Sequence, residues 1–84
     1  MTKEQILEEL QQQLEKMSIR VRFGKGYFGG GLCRYKDQKF FYLNKSQDIE
    51  QQIALIITEM KKLDLNGVDV NPTISRLLSE NENN

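Results

Sequence analysis

The chain has 84 residues, no histidine, one cysteine and a formal net charge of zero, which predicts one small domain over residues 1–80. The absence of histidine excludes histidine-based acid–base catalysis, serine–histidine and cysteine–histidine nucleophile pairs, and most zinc sites. A single cysteine excludes an internal disulfide bond and no apolar run approaches the ~20 residues of a membrane span, so we expect a cytoplasmic protein without membrane contact.

The N-terminal part of the chain predicts a helix followed by a strand. Thr2 and Gln5 fit a capping box, and apolar residues then recur every three or four positions, which predicts a helix over residues 3–17. After Ser18 the apolar period changes to two, with arginines at the alternate positions. Residues 19–23 are therefore predicted to form a strand with one buried face.

Two further strands are predicted after a glycine-rich segment, in the stretches LCRYK and KFFYLN. Only the polar pair Asp37-Gln38 separates them, which favours a hairpin and a three-stranded antiparallel sheet. Cys33 lies in the first of these strands, and we interpret it as a small core residue rather than a nucleophile.

The helical period returns in QDIEQQIALIITEMKKL, which predicts the central and most buried helix. Ile53, Ile57 and Met60 are expected to pack against the sheet. Residues 63–70 leave two alternatives open: Asn66-Gly67 could form the turn of a hairpin, or Gly67 could stop the preceding helix before a short extended piece. The unbroken helical pattern favours the second alternative.

A last short helix is predicted near the C-terminus. Asn71 is suited to the N-cap and Pro72 to the first helical position, and Ile74, Leu77 and Leu78 are expected to face inward. Residues 81–84 are predicted to be a disordered tail. The predicted order is α-β-β-β-α-α, an α+β fold with the sheet packed on helices.

The stretch FGKGYFGGG, from residue 23 to 31, contains the spacing G-x-G-x-x-G. Dinucleotide-binding folds need a helix directly after this motif, but here a strand follows, and the chain also lacks the H-R-D and D-F-G motifs of protein kinases. We therefore interpret the segment as a mobile loop and expect no cofactor and no metal. The loop residues are Gly24, Gly26, Tyr27, Phe28, Gly29, Gly30 and Gly31.

Charge is distributed unevenly along the chain. Residues 16–45 hold eight basic residues and one acidic residue, Asp37, for a net charge of +7, while residues 1–15 sum to −3 and residues 46–84 to −4. All seven aromatic residues also lie within residues 16–45. Strand alternation predicts that cations and aromatic rings share one sheet face, provided that Phe41 and Leu43 point inward. This candidate face for an anionic ligand comprises Arg20, Arg22, Lys25, Arg34, Lys36, Phe40 and Tyr42.

These features favour a non-enzymatic binding or adaptor domain that acts through contact with a protein partner, whose identity the sequence does not give. The alternative hypothesis is a nucleic-acid-binding module, because exposed rings can stack on bases while cations meet phosphates.

The stretch GGLCRYKDQKFFYLNKSQDIEQQIALIITEMKKLDL, followed by a helix that begins with proline, resembles a family of small bacterial proteins with no assigned activity. The resemblance covers about residues 5 to 80. The chain is also distantly similar to the core of zincin-type metallopeptidases, whose H-E-x-x-H motif aligns with residues 58–62. This second resemblance implies that Glu59 matches the general base, whereas Thr58 and Lys62 replace the two histidine ligands. It therefore implies a related scaffold without the zinc chemistry.

Overall fold

The computed structural model of the protein describes residues 1–26 and 29–80. The elements are α1 (Lys3–Lys16), β1 (Ile19–Gly24), β2 (Gly31–Tyr35), β3 (Gln38–Asn44), α2 (Ile49–Met60) and α3 (Pro72–Glu80). This confirms the predicted element order and the α+β class. The predicted tail at residues 81–84 lies outside the described residues. Within the described ranges, no helix is both long and apolar enough to cross a membrane.

The prediction of an antiparallel sheet is wrong for one of the two strand pairs. The strand order is β1-β3-β2, with β3 in the centre. β2 and β3 form the predicted antiparallel hairpin, but β1 runs parallel to β3. Local sequence patterns indicate that a strand exists, whereas the choice of neighbour depends on contacts between distant residues. A sheet of mixed direction therefore replaces the predicted antiparallel sheet.

Both long helices begin at a capping box. The Thr2 hydroxyl accepts a hydrogen bond from the Gln5 amide at the start of α1, as predicted. Asp48 and Gln51 form an equivalent box at the start of α2, which was not predicted. Such caps satisfy backbone amides that the first helical turn leaves free, and each typically contributes about 1 kcal/mol.

One hydrophobic core lies between the sheet and the helices. Its buried members are Leu10, Leu14, Ile19, Phe41, Leu43, Ile56, Ile57, Met60, Ile74 and Leu78. The predicted inward positions of α2 are confirmed at Ile57 and Met60, while Ile53 is only half-buried at the edge of this cluster. The inward face of α3 is confirmed as well, since Leu77 packs against the core beside the two buried α3 residues.

The connection between α2 and α3 differs from both predicted alternatives. α2 ends at Met60, and no strand forms between residues 61 and 71. Gly67 lies in a separate turn with φ of +80°, several residues after the helix has ended. The buried side chain of Gln13 holds the end of this connection, because its amide donates to the Asp69 carbonyl and its oxygen accepts from the Asn71 amide.

An exposed ion pair between Lys3 and Glu50 joins the starts of α1 and α2. The hydrogen bond to the Glu50 carboxylate raises the pKa of Lys3 above its ordinary value. Because both groups are exposed, we expect this pair to contribute little to stability.

Truncation of Ile57 to alanine should lower the free energy of unfolding by roughly 2–5 kcal/mol, because it leaves a cavity beneath the sheet. The neighbouring Thr58 is exposed, so Thr58→Ala is a matched control that should change stability by less than about 0.5 kcal/mol. Urea denaturation measures both values. A loss below about 1 kcal/mol for Ile57→Ala would show that this helix face has been assigned wrongly.

Candidate functional site: the open face of the sheet

The two faces of the sheet have different surroundings. On β3, Phe41 and Leu43 are buried against the helices, as predicted, while Phe40 is half-buried and Tyr42 is 38% exposed on the opposite side. Residues that are paired across strands lie on the same face, so the register identifies the members of this outer surface. We define the open face by Arg20, Arg22, Cys33, Phe40 and Tyr42.

An arginine and two aromatic rings contact one another on the open face. Arg20 pairs with Phe40, and Arg22 pairs with Tyr42, in the parallel β1–β3 register. The guanidinium carbon of Arg22 lies 5.7 Å from the centroid of the Phe40 ring. The Phe40 and Tyr42 ring centroids are 6.2 Å apart, with the rings tilted by 36°. Within this distance range a cation is attracted to the face of an aromatic ring, so these contacts order the surface.

Two of the predicted cationic members lie elsewhere. Arg34 pairs with Lys39 and therefore lies on the helix side of the sheet, although it is exposed there. Lys36 lies in the turn between β2 and β3 with φ of +56°, and its ammonium group is 5.5 Å from the Tyr35 ring. Lys25 is exposed just beyond the end of β1. The open face consequently carries fewer cations than the sequence predicted.

Cys33 is exposed on the open face, so the prediction of a core cysteine is wrong. Leu32 and Arg34 share one face of β2, and Cys33 and Tyr35 share the other. Leu32 packs against the core, because it is a larger apolar side chain than Cys33. Cys33 therefore lies on the outer face of the sheet, beside Phe40. The alternation itself was visible in the sequence, but the assignment of its two faces was reversed.

An apolar pocket of about 500 Å³ lies at the end of the sheet where the chain leaves β1. It takes lining from both faces, because Phe23 pairs with Leu43 on the helix side whereas Cys33 and Tyr42 belong to the open face. Its described lining consists of two aromatic residues, one cysteine and three glycines: Phe23, Tyr42, Cys33, Gly24, Gly29 and Gly30. Phe23 was predicted to be buried but is 42% exposed. Because β1 is an edge strand, this residue has a neighbouring strand on one side only. We call this feature the glycine-end pocket.

Hydrogen bonds fasten the described part of the glycine segment to the end of β3. The buried Asn44 side chain donates to the Gly26 carbonyl at 2.8 Å, and the Lys45 amide donates to the Gly24 carbonyl at 2.8 Å. A Cβ atom at Gly30 would lie 2.5 Å from the Tyr42 carbonyl oxygen. The predicted loop residues Tyr27 and Phe28 lie outside the described residues, and the mobility of the loop stays a prediction.

A larger cleft of about 660 Å³ lies on the helix side of the sheet. It is bordered by Ile19, Lys39 and Leu63, and by an ion pair of 3.4 Å between Lys16 and Asp69. Of the predicted face and loop residues that the structure describes, none lines this cleft.

The positions that resemble the zincin motif lie at the end of α2. Glu59 is mostly buried, and its carboxylate lies 3.5 Å from the Lys62 ammonium group. Lys62 itself lies just beyond the end of the helix. Among the residues described, no group of three or more histidine, cysteine, aspartate or glutamate side chains is arranged to hold a metal ion.

No family model, curated protein or solved structure matches this chain. The resemblances to small bacterial proteins and to the zincin core therefore stay predictions.

Substitution of Gly30 by alanine should destabilise the fold by about 1–3 kcal/mol, because this residue has φ of +79° and its new methyl group would meet the Tyr42 carbonyl. Gly29→Ala is the matched control: a Cβ there meets nothing within 4 Å, so the change should be smaller than about 0.5 kcal/mol. Urea denaturation of the two variants checks the difference. Equal stabilities would contradict the close approach of the segment to β3.

Proposed function

We propose that the protein is a non-enzymatic binding domain that recognises a protein partner through the open face. The observation that carries this proposal is the group of exposed Arg22, half-buried Phe40 and exposed Tyr42 beside the apolar glycine-end pocket. Arginine and aromatic side chains are enriched in protein interfaces and dominate their energetic hot spots. Contacts within this group restrict side-chain motion before binding, which lowers the entropic cost of association.

The positions of Arg34 and Lys36 support a protein partner over a nucleic acid. A surface that follows a phosphate backbone needs several cations along one path. With Arg34 on the helix side and Lys36 in the hairpin turn, the open face keeps two arginines among aromatic and apolar groups. This composition suits a protein interface with an apolar centre.

Single-stranded nucleic acid is the second candidate partner, and one specific observation favours it. Phe40 and Tyr42 are neighbouring rings on the open face, and Arg22 lies over one of them. In several single-strand-binding modules, bases stack on such rings while arginine meets the phosphates.

The variants Arg22→Ala and Tyr42→Ala should each abolish capture of the partner from nuclease-treated extract of the native cells. Both remove exposed interface groups and should leave the core intact, which thermal unfolding can verify. Arg76→Ala is the matched control, because Arg76 is an exposed arginine on α3. Capture that survives both open-face substitutions, or that also fails with Arg76→Ala, would contradict the proposal.

Under the second candidate, labelled single-stranded RNA or DNA of about 12 nucleotides should bind at low salt, as measured by fluorescence anisotropy. Arg22→Ala should then lower the slope of log affinity against log salt by about 0.7, since one phosphate contact is lost. Tyr42→Ala should remove about 1–3 kcal/mol of stacking energy. No binding at low salt would leave protein recognition as the only candidate.

A further inference from the structure

The glycine-end pocket is apolar in its described lining. Gly24, Gly29 and Gly30 contribute no side chains to the space between Phe23 and Tyr42. Among the described residues that line it, the only polar side-chain groups are the Tyr42 hydroxyl and the Cys33 thiol. A pocket of this kind fits one aromatic or long aliphatic side chain, which is the usual anchor at the centre of a protein interface.

Three cations lie around this end of the open face. Arg22 lies on the strand that enters the pocket, Lys25 follows Gly24 directly, and Lys45 donates its backbone amide to the Gly24 carbonyl. All three are exposed, and no carboxylate of the described residues forms an ion pair with any of them. The nearest acidic residue along the chain after Lys45 is Asp48, whose side chain caps α2.

The opposite end of the open face has a different charge environment. There, Arg20 borders a shallow depression that it shares with Glu15 and Asp37. Lys39 also lines this depression, so two carboxylates accompany two basic residues there. By contrast, no carboxylate occurs in the described lining of the glycine-end pocket.

We propose that the partner presents an acidic peptide segment with one large apolar side chain, which enters the glycine-end pocket while flanking carboxylates meet Arg22, Lys25 and Lys45. This inference rests on the proposed function and specifies the chemistry of the partner. Charge complementarity selects an anionic occupant. The pocket selects a protein segment over a nucleic acid, because its apolar lining matches a hydrocarbon side chain and offers little to the polar edges of a base.

A random peptide-display library, selected on the immobilised protein, tests this proposal because the selection requires no identified partner. The enriched peptides should share one aromatic or long aliphatic residue flanked by aspartate or glutamate. Synthetic copies should bind the protein and slow the reaction of the Cys33 thiol with a thiol reagent, because Cys33 lines the pocket.

The same peptides are then titrated against five single variants, all checked for folding by circular dichroism. Arg22→Gln removes a flanking charge, while Phe23→Ala and Tyr42→Ala each remove a pocket wall, and each change should weaken binding at least about tenfold. Arg76→Gln and Tyr35→Ala are the matched controls, on α3 and at the hairpin end of the sheet respectively. They should leave the affinity within about twofold of the original.

The outcomes of these experiments distinguish an error in this inference from an error in the proposed function. Enriched peptides that lack acidic residues, yet lose binding with Tyr42→Ala, would overturn the inference and leave the proposed function standing. Peptides that are insensitive to both Arg22→Gln and Tyr42→Ala would overturn both proposals. The selection could also enrich no peptide while single-stranded nucleic acid, or a second copy of the chain, binds tightly. That result would overturn the inference and identify the molecule that binds as the occupant of the pocket.

Discussion

The rest of the structure depends on the insertion of β3 between two strands that precede it in the chain. β1 and β2 are consecutive, but neither pairs with the other, and both are hydrogen-bonded to β3. Phe41 and Leu43 fix this central position, because they are buried against the helices and cannot turn outward without exposing the core. Alternation then directs Phe40 and Tyr42 to the other side. The burial of Phe41 and Leu43 against the helices thus also places two aromatic rings on the open face.

The same insertion explains the glycine-rich segment. The chain must pass from β1 to β2 across the end of β3, a distance of about two inter-strand spacings, or roughly 10 Å. Gly26 and Gly30 of this connection lie close to β3, as the hydrogen bond from Asn44 and the short approach of Gly30 to the Tyr42 carbonyl indicate. Glycine is suited to this path because it permits positive φ and close contact. The lack of side chains at these glycines also leaves room for the glycine-end pocket. The G-x-G-x-x-G spacing, which resembles that of a phosphate-binding loop, is thus explained by the path of the chain between β1 and β2.

Sequence reasoning predicted the features that depend on near neighbours. The capping box at Thr2, the alternation of β1 and the proline start of α3 all follow from local periodicity and backbone chemistry. Strand order did not follow, because parallel pairing of β1 with β3 is decided by contacts between residues about 20 positions apart. The face of β2 was also assigned wrongly. One face of β2 carries Leu32 and Arg34, and the other carries Cys33 and Tyr35. Because each face has mixed polarity, the sequence does not show which face is buried, and a wrong assignment places every side chain of the strand on the wrong side of the sheet.

The corrected strand assignment changes the electrostatic character of the candidate site. With Arg34 on the helix side, the positive charge of residues 16–45 does not form a continuous path along the sheet. At one end, Arg20 and Lys39 share a depression with Glu15 and Asp37. At the other end, Arg22 and its neighbouring lysines form no ion pair with the described carboxylates, and Tyr42 and the pocket lie there. Among the described residues, exposed apolar surface and cations without an ion pair therefore lie together at this end of the sheet. An occupant that is only apolar would leave the cations uncompensated, and one that is only acidic would leave the apolar surface in contact with water.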